Sequence, residues 1–535
     1  MKNNISKYIF ILVVLGLIGF ALYNLYNDER NKENIGYTDS GEKIEGTRLT
    51  DMRVGIAGFD TINPILSKNR NVQELSKLIF DSLLTINEEY RIQNNIVSEY
   101  SLVGEKDYLI KLKEGIKWND GTELTAADIK FTIDKIKDNN INSIYKESLK
   151  DVTDLEIIDE HTIRINLSKA VPFFEYNLTF PILCSSYYEG EDFLNTSKNN
   201  HPLSTGAYIV TSTESEEFVL KRNPAWWNGE EKLPYIETIH IKMYSNMGEC
   251  YNAFKTGNID FVTTNNISWK EHVGTIGYAT REYHGREYDF IAFNFKNDLL
   301  SRQEVREAIA LSIDKNKING NVYNNQNIIS NSLLDYGNWL YNGETQIKTY
   351  NFEKAQEVLK NAGWEYKNDS WQKIENYRTL KLSFTLIVNS SNNLRVKAAE
   401  NIKQDLEKIG IWINIKSVTD SQYNNYLSNK NYDMILTGKI LSFSPDLSGF
   451  LAEGNLANYE NTEVKGILKE VTGIDNGEVL REKYKRLLEI TNTELPYVYL
   501  YYNKNIFIYS YSLTGRLTPN WYSIFYNIDT WSRQK

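Results

Sequence analysis

Between Arg395 and Gly410 the sequence spells a helix that must stop where a strand begins. Ile402, Leu406 and Ile409 fall on one stripe at helical spacing, and Gly410 supplies a C-terminal cap. Ile411-Trp-Ile-Asn-Ile then alternates with the two-residue period of a strand. A helix that covers the strand following it is the unit of layered α/β folds, so this junction restricts the architecture more than any composition does.

The same grammar recurs along the chain. Lys354 to Ala362 reads as a helix that stops at Gly363. Thr125-Ala-Ala-Asp128 and Ser301-Arg-Gln-Glu304 read as capping boxes, the second opening a helix with Val305, Ala308, Ile309 and Ser312 on one side. Tyr108–Leu112, Thr162–Leu167, Ile239–Met243 and Leu380–Leu386 alternate as strands. Asn119-Asp-Gly121 marks a tight turn beside Trp118, and the Asn-rich stretch of Asn321, Asn324, Asn325 and Asn327 reads as a loop. No internal repeat is visible.

A chain of 535 residues exceeds one ordinary core and implies two or three domains. Its 41% hydrophobic content excludes global disorder. Sixty basic against 70 acidic residues give a net charge of -10, which argues against a nucleic-acid partner. Cys184 and Cys250 cannot form a CxxC site; they stand either as one disulfide or as two buried thiols. The five histidines are scattered, and no GxSxG, HExxH, Walker or GxGxxG motif is present. These absences argue against an enzyme without closing that reading, since a site can assemble across a fold, and the expectation is no cofactor and no metal.

At the N-terminus, Lys2 and Lys7 precede an uncharged stretch from Tyr8 to Asn27. As a helix it would reach about 30 Å, the hydrocarbon thickness of a bilayer. The leading lysines would hold its start in the cytoplasm and send the body outside. Three readings stand: a retained transmembrane anchor over residues 1–27, a signal cleaved near Ala21, or a buried core helix, which lysines at an extreme terminus argue against. Residues 28–47 read as a polar linker.

The block Tyr108 to Phe131, containing Glu114-Gly-Ile-Lys-Trp118 and Leu124-Thr-Ala-Ala-Asp128, is the most specific landmark of the chain. Thr61-Ile-Asn-Pro64, Leu78 to Leu83, His201 to Tyr208, Lys221 to Gly229, Gly257 to Asp260, Phe293-Asn-Phe295, Val305 to Lys315 and Tyr350 to Gly363 are further landmarks in order. Together they resemble the family-5 bacterial extracellular solute-binding proteins, the oligopeptide and dipeptide binders of ABC importers.

The resemblance implies an α/β, two-lobed periplasmic-binding-protein-like fold of type II with an extra domain on lobe I. Its segments would be 48–80, 196–288 and 491–535 for lobe I, 81–195 for the extra domain and 289–490 for lobe II. It also implies a monomer that takes a peptide or peptide-like solute by hinge closure and passes it to ABC permease subunits with cytoplasmic ATPases. A membrane-tethered receptor for a signalling peptide and a metal-chelate binder are the alternatives.

The cleft residues placed by the resemblance are Gly58, Phe59, Asp60 and Thr61, and Lys439, Ile440, Leu441, Ser442 and Phe443. The second segment departs from the family pattern. Lys439 stands at the usual Trp, the segment is one residue short, and the amine-binding Asp position falls on Leu441 or Ser442. Either another acid such as Asp60 or Asp446 substitutes, or the ligand lacks a free amine there. Lys439 is either a partner for a ligand carboxylate or an exposed loop lysine. Arg306, Asp260 and Asp314 read as residues that cap or hold loops.

Overall fold

A computed structural model describes residues 48–534 apart from 215, 276, 335–336, 342–347 and 475. The proposed anchor and linker lie outside the described residues. Among those described, no helix is long and apolar enough to cross a membrane.

Eleven strands form one mixed sheet. In chain order they are β1 (Asp51–Ala57), β2 (Tyr208–Thr213), β3 (Glu217–Arg222), β4 (Thr238–Tyr244), β5 (Phe261–Thr264) and β6 (Tyr278–Phe293). They continue as β7 (Asn327–Ile329), β8 (Ser383–Asn389), β9 (Trp412–Val418), β10 (Met434–Ile440) and β11 (Tyr497–Ser510). The spatial order is β9-β8-β10-β6-β11-β5-β1-β4-β3-β2, with β7 also on β11.

Two strands, β6 and β11, run through both lobes. Tyr278–His284 pairs antiparallel with Lys504–Ser510, the register shifts between His284 and Tyr288, and Tyr288–Ala292 then pairs with Tyr497–Tyr502. Beyond that break β6 gains a second partner, β10, beginning at the Glu287–Ile440 pair.

Each lobe has its own core. Met52, Val54, Ile56, Ile239 and Ile241 belong to the first; Phe293, Leu386, Val388, Ile402 and Leu406 belong to the second. A four-stranded sheet of Val97–Val103, Asp107–Leu112, Val152–Asp159 and Thr162–Leu167 shares the first core. A further cluster joins the lobes on one flank, with Tyr90, Phe173 and Trp521 against Tyr288, Phe450 and Tyr484.

The local signals explain most of these elements. The helix Asn393–Lys408 is capped by Asn392, buries Ala398, Ala399, Ile402 and Leu406, and ends before Gly410 at φ 87°. β9 follows at once, parallel to β8. At Thr125 the capping box forms, with Asp128 accepting the Thr125 N–H at 2.9 Å. Arg306 caps as expected, donating to the Glu494 and Leu300 carbonyls at 2.8 Å each. Asp314 caps the helix Lys315–Tyr323, accepting the Lys317 N–H at 3.0 Å.

Three expectations are corrected. Ser301 does not cap: its hydroxyl donates to the Asp298 carbonyl, while Asn297 takes the Leu299 and Leu300 N–H groups. That turn delays the helix to Gln303–Ser312, with Arg302 at the cap. Leu380–Leu386 is two strands, because buried Leu382 switches its N–H to Trp371 and its carbonyl to Trp412. Of the Asn-rich stretch, Asn321 is helical and Asn327 opens β7; only Asn324 and Asn325, both at positive φ, form the turn. Cys184 and Cys250 are free, buried in different cores.

Candidate functional site

The break in β6 and β11 forms part of the wall of a cavity of about 630 Å3 between the lobes. Its first wall comes from the helix Arg70–Ile79, which buries Val72, Leu75, Leu78 and Ile79 in the first lobe and turns Arg70, Gln73 and Lys77 outward. Tyr145, Tyr176, Asn177 and Thr179 extend that wall, and Trp521 and Tyr522 close one end. Arg286, Glu287 and Asn503 come from the crossing strands, and Ile440, Ser442, Phe443 and Ser444 from the second lobe.

The wall is held by specific bonds. Glu74, buried, accepts the Ile524 N–H at 3.0 Å and the Lys77 ammonium at 3.2 Å. Burial lowers the Lys77 pKa, and Glu74 opposes that shift. Gln73 donates to the Pro64 and Ser67 carbonyls at 2.9 Å each and accepts from the Tyr145 hydroxyl. Burial raises the pKa of Tyr145, so this phenol remains a neutral donor.

Arg286 stitches the second lobe to the crossing strand. Its Nε donates to the Leu441 carbonyl at 2.6 Å, and the Leu441 N–H returns to the Arg286 carbonyl at 2.8 Å. Its guanidinium lies 4.1 Å from the Phe443 ring centre, a cation–π contact. Phe443 in turn meets Trp521 and Tyr522 edge-on at 6.3 and 5.3 Å.

The nine residues placed from sequence divide into two groups. Ile440, Ser442 and Phe443 line the cavity, and Leu441 secures the crossing strand with its backbone. Lys439 takes another direction: it pairs with Tyr288 and sets its ammonium 5.0 Å from the Phe450 ring centre. Burial lowers its pKa, while Asp446 opposes the shift.

The segment Gly58–Thr61 closes its own loop instead of lining this cavity. Asp60 accepts the Thr61 N–H at 2.8 Å, the Ser67 hydroxyl at 2.7 Å and the Lys68 N–H at 3.1 Å. Gly58 donates to the Tyr244 carbonyl at 2.8 Å, Phe59 packs 5.7 Å from Phe218, and Thr61 donates to the Asn199 carbonyl at 3.3 Å. Asp446 likewise serves its own turn, accepting the Ser448 N–H at 2.9 Å.

Sequence reasoning missed Arg286, Glu287, the helix face of Arg70, Gln73, Glu74 and Lys77, and the Trp521-Tyr522 pair. One signal was available. Gly285 falls inside a strand pattern ahead of the apolar run Phe290–Phe293, and an isolated glycine there marks a bulge. Among the described residues, no group of three or more His, Cys, Asp or Glu side chains is placed to hold a metal.

Residues 95–458 match the bacterial extracellular solute-binding proteins, family 5 Middle. The chain belongs to that family. Its members are extracellular solute-binding proteins, and this is a binding protein. Among curated relatives it is similar to the oligopeptide-binding protein AppA of Bacillus subtilis, 24% identical over 90% of this chain and 91% of that protein. Among solved structures it resembles a putative peptide binding protein AppA from Clostridium difficile, with TM-score 0.71 and 22% identity over 90% of this chain and all of that one. HbpA2 from Haemophilus parasuis gives TM-score 0.77 at 18% identity, over 91% of this chain and 100% of its own. At these identities the structural likeness shows the shared two-lobed fold.

Proposed function

We propose that this protein captures a peptide or peptide-like solute outside the cytoplasm and delivers it to the permease of an ABC importer with cytoplasmic ATPases. The observation that carries this reading is a cavity of about 630 Å3 between two lobes, beside two strands whose pairing breaks at one level. A cavity of that class suits a small guest, and hinge closure is the motion such a pair of strands permits. The Bacillus subtilis relative is named for oligopeptide binding, which supports the peptide class.

Of the two carboxylates on the cavity wall, Glu74 is engaged by Lys77 and Ile524. Glu287 is exposed and makes no ion pair among the described residues. It is the acid that would meet a peptide's α-amino group, in place of the family aspartate. Asp60 and Asp446 already satisfy their own loops.

The N-terminal stretch Tyr8–Asn27 would anchor the body near its permease as a monomer. This reading keeps the lobe segments drawn from the sequence and sets the second crossing near Asn503, beside the register shift between β6 and β11. Native mass spectrometry of the full chain, extracted in mild detergent, tests the central reading. A co-purifying peptide-sized mass supports capture; a chain that stays bare against peptide pools and turns none over contradicts it.

A further inference from the structure

Arg286 stands out in the cavity wall because its guanidinium forms no ion pair among the described residues. Only its Nε has a hydrogen-bond partner among the described residues, the Leu441 carbonyl at 2.6 Å. Phe443 covers one face of the guanidinium at 4.1 Å, so the remaining N–H groups are directed within its plane. Among the described residues no carboxylate is paired with it: Glu74 is bonded to Lys77, and neighbouring Glu287 forms no ion pair. Lys68 and Arg70 add positive charge to the same cavity, in a protein whose net charge is -10. Burial, then repulsion from Arg70, pulls the Arg286 guanidinium down to about 10, against a smaller opposing pull from Glu74.

We infer that the cavity binds its ligand through a carboxylate held by the Arg286 guanidinium. This rests on the peptide reading above and specifies its chemistry. A planar fork with its face covered and its Nη donors free fits the two oxygens of a carboxylate. The incoming anion supplies the ion-pair partner that this half-buried cation lacks among the described residues. Because Nε also holds Leu441, the same side chain joins the ligand, the crossing strand and the second-lobe segment. The carboxylate is either the C-terminus of a peptide or an Asp or Glu side chain.

The test uses the full chain in detergent and degenerate hexapeptide pools, with retention read by native mass spectrometry. One pool lacks Asp and Glu and has a free C-terminus, the second is its C-terminal amide, and the third is an amide pool containing Glu. Retention of a carboxylate-bearing pool about tenfold above the plain amide is expected, a difference of about 1.4 kcal/mol. Preference for the free acid assigns the C-terminus; preference for the Glu-containing amide assigns a side chain.

Arg286→Gln should retain every pool at the plain-amide level. If that variant does not fold, Arg286→Lys, which keeps the charge and loses the fork, should show a preference reduced severalfold. Equal retention of all pools by the natural protein, or an unchanged preference in a folded Arg286 variant, overturns the carboxylate site and leaves peptide capture standing. Retention of no pool overturns both.

Discussion

The side-chain carbonyl of Asn503 accepts the backbone N–H of Glu287 at 2.9 Å, filling the gap where β6 changes its pairing along β11. Gly285 makes this possible by absence of bulk, since a Cβ there would lie 2.0 Å from the Asn503 Oδ1. Gly285→Ala is therefore expected to destabilise the fold by about 1–3 kcal/mol in urea titration, the range for overpacking a tight site. Gly285→Ala combined with Asn503→Ala should cost less than the sum of the two, because the second change removes the clash. Additive costs would show that the two residues do not share this space.

Asp260 ties the start of β1 to the start of β5. It is 1% exposed and accepts the Arg53 N–H at 2.7 Å and the Arg53 Nη2 at 2.6 Å. Asp260 is buried while Arg53 is partly exposed and also bonds the Gly257 carbonyl, so Asp260→Ala should cost about 1–3 kcal/mol, the range for unpaired polar groups. Chemical unfolding with two independent probes measures this; a loss below about 1 kcal/mol would show that water reaches Arg53.

The fold was legible where signals are local. A stripe of apolar residues, a glycine and an alternating strand determine the helix Asn393–Lys408 and β9 without reference to the rest of the chain. The capping boxes show where locality ends: Thr125 and Ser301 share a pattern, but Asn297 builds a competing turn before the second. The site was less legible, because its walls come from distant stretches; Arg286 and Leu441 are 155 residues apart. Alternation also decides between neighbours. Ile440 pairs with Glu287 and lines the cavity, whereas Lys439 pairs with Tyr288 and sets its ammonium over Phe450. In a segment one residue short, a position matched to the family can thus carry its side chain to the other face of the strand.

Lys439→Met is accordingly expected to leave ligand retention within about twofold, since its ammonium rests on Phe450 and outside the cavity lining. A loss of about tenfold or more in the peptide-pool assay would place this lysine at the ligand instead.

Glu287 gives a contrasting expectation. If it meets the peptide amine, N-acetylated pools should be retained about tenfold less than free-amine pools, and Glu287→Gln should erase that difference. Asp60→Ala should lower the melting temperature, by freeing the Thr61 and Lys68 N–H groups, without changing the ratio. A ratio that changes with Asp60 and ignores Glu287 would reverse the assignment.

Lys315 makes a pH-dependent prediction. The residue is 8% exposed, and its ammonium donates to the Ser330 carbonyl at 2.9 Å and the Asn331 Oδ1 at 3.0 Å. Burial lowers its pKa from 10.5 to about 7. Between those values the unfolded chain holds the proton that the folded chain has released, so this group makes stability rise with pH. The slope from one such proton approaches about 1.4 kcal/mol per pH unit, and the penalty is greatest below the folded value. Urea midpoints at pH 7, 8 and 9 should climb more steeply for the natural protein than for Lys315→Met. The comparison cancels the other shifted groups, including Lys77, whose lowered pKa acts in the same direction. Parallel profiles would mean that Lys315 keeps its proton in the folded state, with its two oxygen partners offsetting the cost of burial.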